Sequence, residues 1–404
     1  MYKNNTKKCK FIEAELGEYN YCDFLTEENA KKAKRFIETL DEYESTPLIS
    51  LDALASRFGI QKIYVKDESK RMGLNAFKGV GVLYGVARLI CDRFDLDIET
   101  ISFNDLMAPE LNSKIRELVF IAATDGNHGK GLSWVLNKLG CKCHIYMPKN
   151  STEARVRAIE NYGATVTVTE GNYDETLRIV IEKAAENDWI HVQDQAWEGY
   201  TKVTNLISEG YTIIADEALG QMHEDGTEKP THIILQAGAG SFAFGILGYF
   251  ANVYKESKPY MVLAEPENAD CYYQSVANGE YTVVTGELKT IMAGLSVGEA
   301  NFVAWENLST IVEGYASCSD TISARGMRIL SSPIGDDTRI ISGESGALGF
   351  GLLSMLCQSN DYEEIKNQMK IDENSVVLLI STEGDTDPKV YEDIVWNGGF
   401  CTEM

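Results

Sequence analysis

A lysine set among small and apolar residues is a candidate nucleophile. Asn75-Ala76-Phe77-Lys78-Gly79-Val80-Gly81 provides one, just ahead of an amphipathic helical pattern from Val82 to Ile90. Loss of hydration there disfavours the ammonium form of Lys78 and frees its amine to attack. Most lysines beside a helix start are simply solvated, so this one takes its meaning from two later loops. Thr124-Asp125-Gly126-Asn127-His128-Gly129 and Gly238-Ala239-Gly240-Ser241 each sit between an apolar, strand-like run and a helical pattern. Missing side chains in the second loop would let backbone N–H groups approach a phosphate at a helix N-terminus. The same glycines could serve only close packing of strand against helix. They are not a dinucleotide fingerprint, because no acidic residue follows at the expected interval in a β-α-β context.

The elements that would position these loops recur along the chain. Apolar, β-branched runs at 118–123, 143–147, 165–169, 232–235, 260–264 and 375–380 each lead into a loop and a helical pattern. Such alternation predicts an α/β fold in which a parallel sheet carries helices on both faces. Ligands in open α/β sheets bind beyond the carboxyl ends of strands. The asparagine loop, the glycine loop, Glu265-Pro266 and Ser381-Thr382 all fall at such ends. Residues 92–117 break the rhythm: they are acidic, contain a proline, and read as an insertion.

Composition narrows the classes of function. A chain of 404 residues is long enough for two domains, and its net charge of −24 argues against nucleic acid or an anionic membrane as the main partner. An anionic cofactor would have to be held locally, against the overall field. Nine cysteines are scattered, with Cys141 and Cys143 in a C-x-C spacing that completes no zinc-like quartet. They read as reduced cytoplasmic thiols, and no metal site is expected. Basic residues near the N-terminus (Lys7, Lys8, Lys10) are followed by no apolar core, so no signal peptide is expected. Residues 231–254 carry no Asp, Glu, Lys or Arg, but their clustered glycines predict a buried strand, tight turn and buried helix rather than a membrane span.

Lysine, asparagine loop and glycine loop, in that order, resemble the pyridoxal-phosphate enzymes of the tryptophan-synthase-β type (fold type II). The resemblance runs from about Thr46-Pro47-Leu48 onward and weakens in the insertion. It implies two domains, each a mostly parallel sheet flanked by helices: a large one from 1–72 and 200–404, and a small one from 73–199. It also implies pyridoxal 5'-phosphate as cofactor and a homodimer. Lys78 would form the Schiff base, Asn127 would donate to the cofactor's ring hydroxyl, and Gly238, Ala239, Gly240 and Ser241 would cradle its phosphate. Ser381, after the run 375–380, would face the pyridine nitrogen, with Thr382 the fallback one residue on. A neutral hydroxyl there leaves the nitrogen largely unprotonated and suits elimination at the β-carbon. Glu344 could approach the ring or could be a helix-terminus carboxylate.

Within this family the chain resembles a branch that removes ammonia from 2,3-diaminopropionate. The resemblance rests on the segment His191-Val192-Gln193-Asp194-Gln195-Ala196-Trp197-Glu198-Gly199-Tyr200, on Thr290 to Leu295, and on Thr382 to Pro388. Related dehydratases carry a small residue where this chain has Asp125. A carboxylate in a crowded site is costly without a job, and here the job would be acid–base chemistry or attraction of a second substrate ammonium. Capping of the following helix is the plainer alternative. Thr124, Asp125 and Asp194 are therefore expected near the substrate, with Trp197 and Tyr200 either excluding water or packing as core. The implied reaction is α,β-elimination of 2,3-diaminopropionate to pyruvate and two ammonia molecules. Lys78 would take the α-proton of one enantiomer and Asp125 that of the other. The competing readings are a threonine or serine dehydratase, a β-replacement synthase, and a non-catalytic ligand-binding protein on the same scaffold.

Overall fold

The computed structural model describes residues 8–19, 21–124, 126–149 and 151–401. Its strands, in chain order, are β1 (Cys9–Glu13), β2 (Leu48–Ser50), β3 (Lys62–Asp67), β4 (Val119–Ala123), β5 (Lys142–Met147), β6 (Thr165–Val168), β7 (Ile190–His191), β8 (His232–Gln236), β9 (Tyr260–Pro266), β10 (Gly314–Cys318) and β11 (Val376–Ser381). They form two sheets, as the family resemblance implies. A seven-stranded sheet has the order β1-β10-β9-β8-β11-β3-β2, and a four-stranded sheet has the order β6-β5-β4-β7. The smaller sheet is parallel throughout. The larger is parallel from β10 to β3 and closes at each edge with an antiparallel strand, β1 and β2.

The central strands are near-continuous apolar runs because both of their faces are covered. Every residue of β8 and β11 is buried. Edge strand β6 (Thr-Val-Thr-Val) is mostly exposed, and alternating Thr and Val suits such a place. The core of the larger sheet gathers Ile63, Val65, Ile234, Val262, Val377 and Leu379 with side chains from the helices Asp320–Ser331 and Leu348–Gln358. In the smaller sheet, Ile121 and Ala123 pack on Val180 and Ala184 of the helix Tyr173–Asn187. The uncharged stretch 231–254 is β8, the glycine turn and the helix Ser241–Tyr254, and no helix among the described residues is long and apolar enough to cross a membrane.

Two compact units result. One comprises Met1–Cys22, Thr46–Ser69 and Glu217–Met404, the other Asp23–Ser45 and Lys70–Asp216. These limits differ from the expected 73–199 in two places. The helix Glu27–Ile37 joins the smaller unit, where Asn29 donates to Glu209 at 3.2 Å and Lys34 pairs with Asp216 at 3.3 Å. The 23-residue helix Lys202–Glu224 passes from one unit to the other between Asp216 and Glu217 without interruption. The limit between Asp216 and Glu217 falls inside this helix at no glycine or proline, so local signals could not mark it. The segment 92–117 folds as two short helices, Phe103–Leu106 and Pro109–Ile115, that bury Phe103, Leu106 and Ile115.

Candidate active site

In the smaller unit Lys78 is the first residue of the helix Lys78–Phe94, not a residue ahead of it. The turn leading in is tight: Asn75 adopts φ +56°, a left-handed conformation that asparagine tolerates better than most residues. This helix lies against the helix Asn127–Leu139 at glycine contacts. A Cβ on Gly131 would come within 3.0 Å of the Gly79 Cα. On its other side, a Cβ on Gly210 of the helix Lys202–Glu224 would come within 2.9 Å of the Gly81 Cα. Lys130 ties the helix Asn127–Leu139 to the turn ahead of Lys78, its Nζ donating to the Leu74 carbonyl at 2.8 Å. The lysine loop and the asparagine loop are thus fixed to one another by backbone proximity.

The Nζ of Lys78 forms a direct ion pair with the Asp194 carboxylate. Lys78 is therefore not merely an amine stripped of water, as its apolar neighbours in sequence suggest; it has an anionic partner 116 residues away. The His128 ring is the second neighbour of this carboxylate. Its Nδ1 lies 3.7 Å from Asp194 Oδ2, and its Nε2 is 2.8 Å from the Val192 carbonyl. Burial pushes the Asp194 carboxyl up, but the Lys78 charge and then His128 more than offset this and hold it well below the usual carboxylate range. Burial lowers nearby His191 to about 4. Trp197 and Tyr200 stack with ring centroids 4.2 Å apart, and Tyr200 donates to the His191 carbonyl at 2.8 Å. Gln193 fixes the segment to β4, accepting from the Ala123 N–H at 3.1 Å and donating to the Ala123 carbonyl at 2.9 Å.

Asn127 begins the helix Asn127–Leu139. Thr124 is buried, and its Oγ1 accepts the N–H groups of Gly126 at 3.0 Å and Gly129 at 3.1 Å, which binds the loop to the helix start. Asp125 lies outside the described residues.

In the larger unit the glycine loop joins β8 to the helix Ser241–Tyr254, and Ser381 ends β11, which pairs with β8. Gly240 adopts φ +102°, and a Cβ there would stand 1.9 Å from the Tyr272 hydroxyl. A Cβ on Gly238 would meet the Gly294 carbonyl oxygen at 3.0 Å, so the segment Thr290 to Leu295 backs the loop. No acidic residue occupies the first turn of the helix Ser241–Tyr254. A glycine turn that excludes side chains, opening a 14-residue helix with no opposing carboxylate in its first turn, fits a phosphate.

Ser381 is buried and its Oγ donates to Ser342 Oγ at 2.7 Å. Thr382 Oγ1 accepts from Gln236 Nε2 at 2.9 Å, and the same amide donates to the Ile380 carbonyl at 3.0 Å. Gln236 thereby holds the ends of β8 and β11 in register, while its Oε1 is buried with no hydrogen-bond partner among the described residues. Glu344 is buried in a turn, and its carbonyl accepts from Ser323. The arrangement suits an aromatic cofactor that carries a phosphate at one end and a ring nitrogen at the other. The sequence reading missed His128, Gln236 and Ser342 because each acts on a residue distant in the chain or buried behind it; the only local hint was that His128 follows Asn127.

Residues 39–382 match the family described as pyridoxal-phosphate dependent enzyme. Diaminopropionate ammonia-lyase of Escherichia coli (strain K12) is 46% identical over 374 residues, covering 93% of this chain and 93% of the relative. The crystal structure of holo diaminopropionate ammonia lyase from Escherichia coli superposes with a TM-score of 0.93 at 44% identity, covering 98% of this chain and 99% of that one. The same Escherichia coli protein in complex with an aminoacrylate-PLP azomethine reaction intermediate gives a TM-score of 0.91 at 43% identity over 98% and 99% of the two chains. The lysine, asparagine and glycine loops therefore stand in a protein that belongs to the pyridoxal-phosphate-dependent enzymes of fold type II.

Proposed function

We propose that this chain is a carbon–nitrogen lyase that converts 2,3-diaminopropionate to pyruvate and two molecules of ammonia, acting on both the D and the L form. The observation that carries the substrate assignment is the carboxylate of Asp194, held ionised between Lys78 and His128. A diamino acid differs from serine or threonine by one extra ammonium group, and a buried, ionised carboxylate is the side chain that recognises it. A hydroxy amino acid would leave that charge without a substrate partner. The strong likeness to diaminopropionate ammonia-lyases points the same way.

Pyridoxal phosphate, when bound, supplies an electron-withdrawing ring that takes up the electron pair released at the substrate α-carbon. We assign the residues that would hold it as follows. Lys78 supplies the amine for covalent attachment, the backbone of Gly238, Ala239 and Gly240 with Ser241 supplies the phosphate cradle, Asn127 meets the ring hydroxyl, and Ser381 meets the ring nitrogen. Lys78 Nζ takes the α-proton on one face of the substrate. Asp125 takes it on the other, which lets one site process both enantiomers. Asp194 binds the β-ammonium and keeps it protonated, as a leaving amine must be. Trp197 and Tyr200 exclude water. A homodimer and a cytoplasmic location belong to the same reading.

The test is direct. The purified protein should show visible absorbance that borohydride abolishes and should release pyruvate from 2,3-diaminopropionate. Lys78→Ala should remove both while leaving the fold intact. A chromophore that survives in Lys78→Ala would move the attachment to another lysine. Pyruvate release from serine or threonine far exceeding that from diaminopropionate would make the protein a dehydratase, and absence of turnover in a coloured protein would make it a binding protein.

A further inference from the structure

Behind the glycine loop, one asparagine uses all of its polar groups. Asn301 is buried, and its backbone N–H donates to the Ala239 carbonyl at 2.7 Å. Its side-chain Nδ2 donates to Ser241 Oγ at 2.8 Å. Its Oδ1 accepts from the N–H groups of Val303 at 3.0 Å and Ala304 at 3.3 Å, capping the helix Phe302–Ile311. These two N–H donors fix which end of the amide is oxygen, and hence that Nδ2 faces Ser241. Tyr272 adds a second donor to Ala239, its hydroxyl meeting the same carbonyl at 2.9 Å.

Two consequences follow for the loop. A trans peptide points its C=O and its N–H in opposite directions. With the Ala239 carbonyl held by Asn301 and Tyr272, the N–H of Gly240 is turned away from them. An amide nitrogen can only donate, so Ser241 Oγ accepts from Asn301 and its own proton is directed elsewhere.

We infer that Asn301 is a positioning residue for the phosphate cradle: it orients the Gly240 N–H and the Ser241 hydroxyl toward the phosphate of the cofactor. The inference rests on the cofactor reading given above. Asn301→Asp is the informative variant. Aspartate caps a helix about as well as asparagine, so the helix Phe302–Ile311 and the contact to Ala239 are kept. A carboxylate cannot donate, however, and would instead draw the Ser241 proton to itself and place a like charge near the phosphate.

The full-length protein, stripped of cofactor, should be titrated with pyridoxal phosphate and, separately, with pyridoxal, which lacks the phosphate. Binding is read by visible absorbance, and the phosphorus resonance of the bound cofactor is recorded in parallel. Asn301→Asp should weaken pyridoxal phosphate by about 10- to 100-fold, the range for a hydrogen bond to a charged group. It should shift the phosphorus resonance, leave pyridoxal capture unchanged, and melt near the wild-type temperature. Equal binding of pyridoxal phosphate by variant and wild type would overturn the proposal, as would an equal loss for both ligands. If Asn301→Asp does not fold, Ser241→Ala takes its place, and undiminished preference of that variant for the phosphorylated ligand would overturn the proposal. Failure of the wild-type protein to bind pyridoxal phosphate would instead defeat the cofactor reading itself.

Discussion

Lys78 and Asp194 form an ion pair across 116 residues of sequence, with side chains only 20% and 13% exposed. Charge pairs so poorly solvated are costly to break from one side, because removal of one member leaves the other unpaired. The pairing also means that the amine and the carboxylate proposed to bind substrate are positioned together. A change at either alters the other.

Asp194→Asn removes the anionic partner of Lys78 and the charge proposed to hold the β-ammonium. Turnover of diaminopropionate should fall by about 10²–10⁴-fold, the usual contribution of a group that manages a proton at the reacting centre. Serine, lacking the second ammonium, should lose less. A steady-state comparison of the two substrates checks this, and a loss identical for both would make Asp194 a support for Lys78 rather than a specificity residue.

Asp125 is proposed as the base for the enantiomer whose α-proton Lys78 does not reach. Asp125→Asn keeps shape but loses charge and proton transfer. We expect a loss of about 10²–10⁴-fold on D-diaminopropionate and a much smaller one on the L form. Initial rates on each pure enantiomer decide it. Equal losses would assign Asp125 to general positioning, and no loss would leave it a helix cap.

Glu265, at the end of β9, is buried, and burial pushes its carboxyl from 4.5 up to about 8 despite backbone N–H bonds from Tyr272 and Tyr273. The folded pKa is above the unfolded one, so between these values the folded protein binds more protons than the unfolded chain. Stability contributed by Glu265 is then greatest at low pH and is lost as pH rises through this window. Glu265→Gln removes the effect. Between pH 5.5 and 7.5 the variant should therefore gain roughly 1–3 kcal/mol on the wild type, whatever the constant cost of the substitution. Urea denaturation at the two pH values measures the difference, and a gap that does not change with pH would show that Glu265 is ionised throughout.

Much of the fold was legible in the sequence because its signals are local. The runs at 118–123, 232–235 and 260–264 announce β4, β8 and β9 to within one or two residues, since a strand buried on both faces must be apolar nearly throughout. Edge strands such as β1 and β2, and the two-residue β7, gave no such run and went unmarked. The glycine loop was legible for a related reason, because a left-handed turn at Gly240 leaves little choice of residue.

The chain by itself determined the α/β class, the family, and the order in which lysine, asparagine loop and glycine loop occur. What only the tertiary structure decided is which distant residues answer to one another. The sequence suggests a desolvated Lys78; the fold gives it Asp194, and gives Asp194 His128. It places Asn301 and Tyr272 behind Ala239, and Gln236 between the ends of β8 and β11. It also assigns the helix Glu27–Ile37 to the smaller unit, although nothing in its composition separates it from the segments that join the larger one. Periodicity and turn chemistry act over a few residues and are written locally. Charge pairing and hydrogen bonding act through space, and the residues they join become neighbours only after strands far apart in sequence have taken adjacent places in a sheet.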